Sequence, residues 1–379
     1  MSKSYIYNFF YVILILLSCL PTIFSWTFSG LFSSFAKAGY NPYCVTNECC
    51  SEAWINFDRE GLKRALKENV YGQPLLETAV YALSSHFRQT HHNKALTLSF
   101  HGMTGTGKNY VASFIAESMF ERGLKSAYVH QFIGRIHFAE QAKVHTYQHE
   151  LYEKLKNAVA KCPKQLFIFD EVDKMVPEVL NILKPMLDYK LNIDGVDYSQ
   201  SVFIFLSNTG ADVVNEHFHD LYIKEGKERN DMTMADFETF IQRGAFNEQG
   251  WLTKGPATYF RHLTRQMLFS RSYLGSAFNF IYKLGGFHHS DAIKNNLIDH
   301  YIPFLPLEQK HVEMCIRKEF QIRNVNQPKQ ELINEVMEIV QWGPEDTKLF
   351  SKTGCKRLGA KVGLLVDKHY WHETHRNEL

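Results

Sequence analysis

Four short apolar runs punctuate the middle of the chain: ALTLSF at 95–100, AYVHQFI at 127–133, QLFIFD at 165–170 and SVFIFLSN at 201–208. Each has the length of a strand and is nearly continuous rather than alternating, the pattern of strands buried on both faces of a parallel sheet. Segments with helical apolar spacing separate them, among them NYVASFIAESMFERG, an amphipathic helix predicted to end at Gly123. Upstream, FDREGLKRALKENVYGQPLLETAVYALSSHFRQ predicts two helices on either side of VYGQP, where Gly72 and Pro74 break the pattern. Downstream, LEQKHVEMCIRKEFQIR and KQELINEVMEIVQW are helical, and no further strand is expected towards the C-terminus. Strand and helix in alternation predict an α/β fold, a central parallel sheet flanked by helices, followed by a small helical domain.

Composition changes this picture at the ends more than in the middle. The chain has 379 residues, 45% hydrophobic and 22% charged, with a formal charge of +2, so nothing in its electrostatics calls for nucleic acid as a partner. The first 25 residues hold the run YIYNFFYVILILLSCL after Lys3, which reads as a signal peptide or as a membrane anchor. Residues 26–55 form a hydrophobic, cysteine-containing arm whose aromatic, acid-free start suits a membrane surface. The chain stops in HRNEL, a near match to the signals that return proteins to the endoplasmic reticulum. Cysteine usage agrees with that lumen: beyond Cys19 in the leader there are six, an even number, in a compartment that permits disulfides. The adjacent Cys49 and Cys50 lack the spacing of a zinc site. No N-x-Ser/Thr acceptor occurs.

The candidate chemistry begins directly after the first predicted strand. HGMTGTGKN places Gly102, Met103, Thr104, Gly105, Thr106, Gly107 and Lys108 in the pattern of a phosphate-binding loop between strand and helix, with Asn109 where Ser or Thr is usual. Glycines let backbone N–H groups curl around phosphate oxygens, the helix start adds partial positive charge, and the lysine reaches the outer phosphates. The third strand ends in Asp170 and Glu171, at the carboxyl edge where open α/β sheets bind ligands. Asp170 is placed to hold Mg²⁺ and Glu171 to polarise a water for attack on the γ-phosphate of ATP. The fourth strand delivers Asn208 to the same edge, where its amide could orient that water or cap a helix.

This order of parts is that of an AAA+ ATPase, and the residues resemble a torsin. ECC, VYGQ, LTLSFHGMTGTGKN, FIFDEVDKM, DYSQSVFIFLSNTGA, NLIDHYIPFLPLE, MCIR and GCK all look like torsin motifs, from about Cys44 to about Val366, and GTGKN with Asn is a habit of that family. The resemblance implies that Lys108 and Asn109 serve phosphate and metal, Asp170 and Glu171 metal and hydrolysis, Asn208 the first sensor and Lys356 the second. It also implies a chaperone-like ATP hydrolase of the endoplasmic reticulum and nuclear envelope lumen. In related Clp-type unfoldases a neighbouring subunit inserts an arginine into the site, but the corresponding stretch here, YIPFLPLE, has none. An arginine finger is worth several orders of magnitude in rate, so the site should be slow alone. Torsins obtain the arginine from the luminal domain of a type II membrane protein related to lamina-associated polypeptide, and the resemblance implies such a partner and an assembly of like or unlike subunits. For the cysteines it implies a Cys315–Cys355 bridge beside Lys356, with inert thiols as the alternative. A bridge from Cys44 to Cys162, tying the arm to the sheet, is a further expectation.

The domain organisation expected is a large α/β domain over 56–295, a small helical domain over 296–370 and a tail over 371–379. Two features depart from the family pattern. Residues 251–286 contain no Asp or Glu and read as an insertion or a retained intron. No aromatic pore loop of the GYVG kind lies between the phosphate loop and the acidic pair, which speaks against threading. His145 and His149 lie one helical turn apart but are read as a solvated face; His91, His92, His288 and His289 are read as loop residues. Besides the ATPase, a nucleotide-gated scaffold stays open, whereas a small-molecule kinase would leave Asn208 and GCK without roles.

Overall fold

A computed structural model describes residues 43–176, 178–189, 192–246 and 297–374. The leader, most of the arm, 251–286 with His288 and His289, and the terminal HRNEL lie outside the described residues. The chain divides into two units, Met1–Cys49 and Cys50–Leu379. The described part of the first is one helical turn, Tyr43–Thr46, and a Cys44–Cys49 disulfide. No helix among the described residues is long and apolar enough to cross a membrane.

The second unit is built on a five-stranded, all-parallel sheet. Its strands are β1 (Leu96–Gly102), β2 (Val129–Ile133), β3 (Leu166–Asp170), β4 (Val202–Ser207) and β5 (His300–Phe304), in the spatial order β2-β3-β4-β1-β5. Helices α1 (Arg59–Asn69), α2 (Glu77–Arg88) and α3 (Lys108–Met119) cover one face. On the other lie α4 (Val144–Lys161), α5 (Ala211–His219) and α6 (Met234–Phe246). The period of two divides the side chains cleanly. Leu166, Ile168, Val202 and Ile204 enter the first layer, while Phe167, Phe169, Phe203 and Phe205 enter the second. There Phe169 lies 4.9 Å from Phe132 and 5.2 Å from Phe205, a row of rings crossing three strands. The three central strands are buried throughout, apart from Asp170 at the edge.

β5 corrects the expectation of no further strand. The segment HYIPF pairs with β1 alone, Leu98 opposite His300 through Gly102 opposite Phe304. Pro303 hides the strand from a reader of sequence because proline cannot serve a central ladder, yet an edge strand accommodates it. The strand also moves the change from sheet to helical layer past Phe304, rather than at 296. β2 differs too: as the opposite edge it leaves Gln131 exposed and is not buried on both faces. α3 stops at Met119 rather than Gly123, because Phe120 turns into extended backbone and bridges Ile55.

A third hydrophobic cluster belongs to the C-terminal helices α7 (Gln309–Ile322), α8 (Gln330–Met337) and α9 (Leu358–Thr374), packed through Val312, Ile316, Phe320, Ile333, Val336 and Val362. A two-residue antiparallel pair, β6 (Trp342–Gly343) and β7 (Phe350–Ser351), joins α8 to α9.

The expected Cys44–Cys162 bridge is replaced. Cys162, fully buried at the end of α4, pairs with Cys50, while Cys44 finds Cys49 five residues away. Cys315 and Cys355 are also bonded. The Cys50–Cys162 link closes a loop across a sequence separation of 112 and so constrains the unfolded chain strongly. Replacing both Cys50 and Cys162 by Ser should cost about 2–4 kcal/mol, read as a lower urea midpoint; an unchanged midpoint would show that the link is dispensable.

Candidate functional site

The carboxyl edge of the sheet gathers residues that are far apart in sequence. The loop between β1 and α3 turns on Gly105 and Gly107, both at positive φ (77° and 108°), and ends at Lys108, the first residue of α3. Glycine is required at Gly105 twice over: beyond its φ, an added Cβ would lie 2.1 Å from the Thr353 carbonyl oxygen. Gly102 is equally confined, with Phe304 O only 2.5 Å from such a Cβ. Thr104 is exposed and Met103 half-buried, and the Thr106 hydroxyl donates to Met103 O at 2.8 Å.

Lys108 is 7% exposed and spends its ammonium on Gly102 O (2.6 Å), Met103 O (2.9 Å) and Asn208 Oδ1 (3.0 Å). An ammonium has three donors, so all are occupied by the protein. Burial pushes its pKa down to about 8, partly opposed by Asp173 and Asp170. The side-chain amide of Asn109 donates to Asp170 Oδ2 at 2.5 Å across 61 residues of sequence. Asp170 Oδ1 accepts the N–H of Glu171 (2.7 Å). Glu171 sits in the left-handed region at φ 51°, a strained position for a residue with a side chain and the kind that clusters at functional sites. Its carboxylate is one-third exposed and has a loose contact with the Arg135 guanidinium (3.5 Å), two-thirds exposed, which holds it weakly.

Two residues that sequence reading passed over complete the array. Asp173 accepts the backbone N–H of Asn208 at 3.1 Å and its side-chain amide at 3.4 Å. Burial raises its pKa, but hydrogen bonds from Lys174 and Asn208 outweigh burial and leave the carboxyl below its usual range. Its only signal in the sequence was a third acid in DEVD. His101, buried under the loop, donates Nδ1–H to Thr209 O (3.0 Å) and accepts the Ser99 hydroxyl at Nε2 (2.7 Å). Burial holds it neutral, with a pKa of about 4, so it pins the Asn208–Gly210 turn without adding charge.

Lys356 is brought to the loop by its backbone. Cys355 N–H donates to Gly105 O at 3.0 Å and the Lys356 nitrogen lies 3.0 Å from the place a Gly105 Cβ would take, while its side chain stays exposed. Beside this junction opens a cleft of about 290 Å³, walled by Val70 and Tyr71 on one side and Leu307, Lys318 and Ile322 on the other, with Gly105–Gly107 as its floor. A larger cleft, about 520 Å³, lies beyond Met103; three acids, Asp212, Glu216 and Asp220, outnumber its two lysines, Lys224 and Lys352, and it lacks the glycine loop. The smaller one fits a nucleotide: the positive-φ glycines of the loop form part of its lining, the buried Lys108 follows directly in sequence, and there is space for the rest of the molecule. Mg²⁺ also fits the donor chemistry, with Asp170 and the Asn109 amide oxygen as hard ligands once Asn109 turns from its present contact. Among the described residues no cluster of three or more His, Cys, Asp or Glu gathers around one point, so phosphate and water oxygens would supply the remaining ligands. His145 and His149 are both exposed on α4.

Comparison with known proteins agrees with this geometry. The family description Torsin matches residues 44–169, and Torsin-1A, C-terminal domain, matches 307–364. A torsin-like protein of Caenorhabditis elegans is 33% identical over 328 residues, 86% of this chain and 82% of its own. One from Drosophila melanogaster is 32% identical over 89% and 91%. Human Torsin-3A is 31% identical over 86% and 74%. A solved structure of Hsp104 with ATPγS and casein superposes with a TM-score of 0.48 at 15% identity, over 83% of this chain and 47% of that one.

The lowered pKa of Lys108 gives a signed prediction. Phosphate favours the charged ammonium and raises its pKa from about 8. Nucleotide binding should therefore take up protons at about pH 8.5 and almost none at about pH 6.5. Calorimetry in buffers of different ionisation enthalpy measures this; equal uptake at both pH values would exclude Lys108 as the source.

Proposed function

The chain belongs to the torsin family of AAA+ ATPases, and from that premise we propose that it hydrolyses ATP to ADP and phosphate to remodel protein or membrane assemblies in the lumen of the endoplasmic reticulum and nuclear envelope. The observation that carries the reading is the convergence of Lys108, Asn109, Asp170 and Asn208 around one glycine cradle, through contacts spanning 61 and 100 residues of sequence. In this reading Lys108 leaves the loop carbonyls for the outer phosphates, and Asp170 with Asn109 holds Mg²⁺, which offsets phosphate charge. Glu171 polarises the attacking water and Asn208 orients it. Lys356 turns its exposed side chain towards the phosphates from the helical side.

Two properties favour dependence on a partner. Residues 301–308, YIPFLPLE, contain no arginine, and Arg229, which touches that stretch, is buried and spends its donors on Glu308, Gly72 and Pro306. The proposed partner is the luminal domain of a type II membrane protein of the lamina-associated-polypeptide kind, in an assembly that includes more than one subunit. Three disulfides suit the oxidising compartment. A membrane surface is the proposed contact of the N-terminal arm. One observation favours a second reading, a nucleotide-gated binding or scaffold protein with incidental hydrolysis: YIPFLPLE supplies no arginine that would complete the site for turnover.

The test is ATP turnover of the full chain with and without such a luminal domain. Stimulation of at least about a thousandfold, on the scale of an arginine finger, and its loss in Glu171→Gln with nucleotide binding retained, are the expected results. No stimulation, or stimulation that survives Glu171→Gln, counts against the ATPase and leaves the scaffold.

A further inference from the structure

Arg229 is 5% exposed, lies in a short turn, Arg229–Asp231, and does not line the nucleotide cleft. Its guanidinium is nevertheless shared between the two segments that do. Nη1 donates to Gly72 O at 2.7 Å, one residue beyond the wall formed by Asn69, Val70 and Tyr71. Nη2 donates to Pro306 O at 2.7 Å and Nε to Glu308 Oε1 at 2.7 Å, so the bonds bracket Leu307 in the opposite wall. The flat face rests on the Phe218 ring, 4.5 Å from its centroid.

The surroundings carry this link to the loop itself. Gln73, next to Gly72, accepts Leu305 N–H at 2.8 Å and donates to Leu305 O at 2.9 Å and to Thr106 O at 3.3 Å. Gly72 has φ 69°, and an added Cβ would meet the His311 ring at 2.9 Å. His311 in turn accepts Glu308 N–H at 3.2 Å, closing the start of α7. Any buried guanidinium must satisfy its donors; what is particular here is that the planar fork divides them between two segments on either side of a cleft.

We propose that Arg229 is a positioning residue of the nucleotide site. From behind the cleft it fixes the separation of segments 69–72 and 306–308, and so sets how tightly the part of a nucleotide beyond its phosphates is held. This rests on the nucleotide reading above. Arg229→Lys keeps the charge for Glu308 but cannot span Gly72 and Pro306 together. In the folded full chain, checked by circular dichroism and melting, fluorescent ATP and ADP analogues should both bind about tenfold more weakly. Their ratio should be unchanged, because ATP and ADP share the part of the molecule that the two walls hold. With activator, KM for ATP should rise while kcat stays within about twofold. A folded variant that binds both nucleotides within about twofold of the wild type overturns the proposal.

Should the variant not fold, hydrogen exchange on the wild-type chain decides. ADP should slow exchange in the 229–231 turn together with 69–72 and 306–308. Protection confined to the walls and the loop overturns the proposal. Failure of the wild-type chain to bind either nucleotide is a different outcome, which removes the nucleotide reading itself and this inference with it.

Discussion

Gly105 in the phosphate loop and Gly354 before the last helix meet backbone to backbone, and the rest of the site depends on how closely they do so. A Cβ on Gly105 would lie 2.1 Å from Thr353 O, and one on Gly354 would lie 2.2 Å from Gly105 O. Both have positive φ, 77° and 55°, so side chains are refused by conformation as well as by space. Only this approach lets Cys355 N–H reach Gly105 O at 3.0 Å and seats the helical layer on the loop that would cradle phosphate. The Cys315–Cys355 disulfide anchors the same turn to α7, so the residues facing the cleft from the helical side are fixed relative to the loop.

Sequence patterning revealed those parts of the fold whose residues have one physical environment. The central strands β1, β3 and β4 are apolar because both faces are covered, and the glycine loop and the acidic pair announce themselves by short-range spacing. What stayed hidden has mixed duties. β5 carries a proline that only an edge position excuses, and β2 carries His130 and Gln131 because it is the other edge. The cysteine pairing was hidden because Cys49 and Cys50 are adjacent, so which one turns towards the sheet is a matter of backbone direction rather than spacing. Gln73, Asp173 and Arg229 are polar residues whose partners lie 33, 35 and 79 residues away, and no local pattern encodes such distances.

Charge at the site is arranged so that its groups hold one another. Lys108 binds loop carbonyls and Asn208, Asn109 binds Asp170, and Asp173 binds Asn208. A buried ammonium with three acceptors avoids the cost of an unpaired charge, and the lowered pKa records what burial still takes from it. Binding must therefore exchange contacts rather than fill empty ones. Glu171 stands outside this mutual holding: among the described residues its carboxylate has a loose contact with the exposed Arg135, so the proposed base is weakly held.

The lack of an arginine in YIPFLPLE follows from where that stretch lies. Residues 301–304 belong to β5, paired to β1, while Leu305 is held by Gln73 and Pro306 and Glu308 by Arg229. All eight residues, 301–308, are buried. Apart from Leu307, which borders the cleft, an arginine substituted at any of them would place an unpaired charge in the interior instead of presenting a guanidinium at the surface, and would disrupt the packing. The same inward bonds that brace the cleft turn the polar groups of this stretch away from the surface.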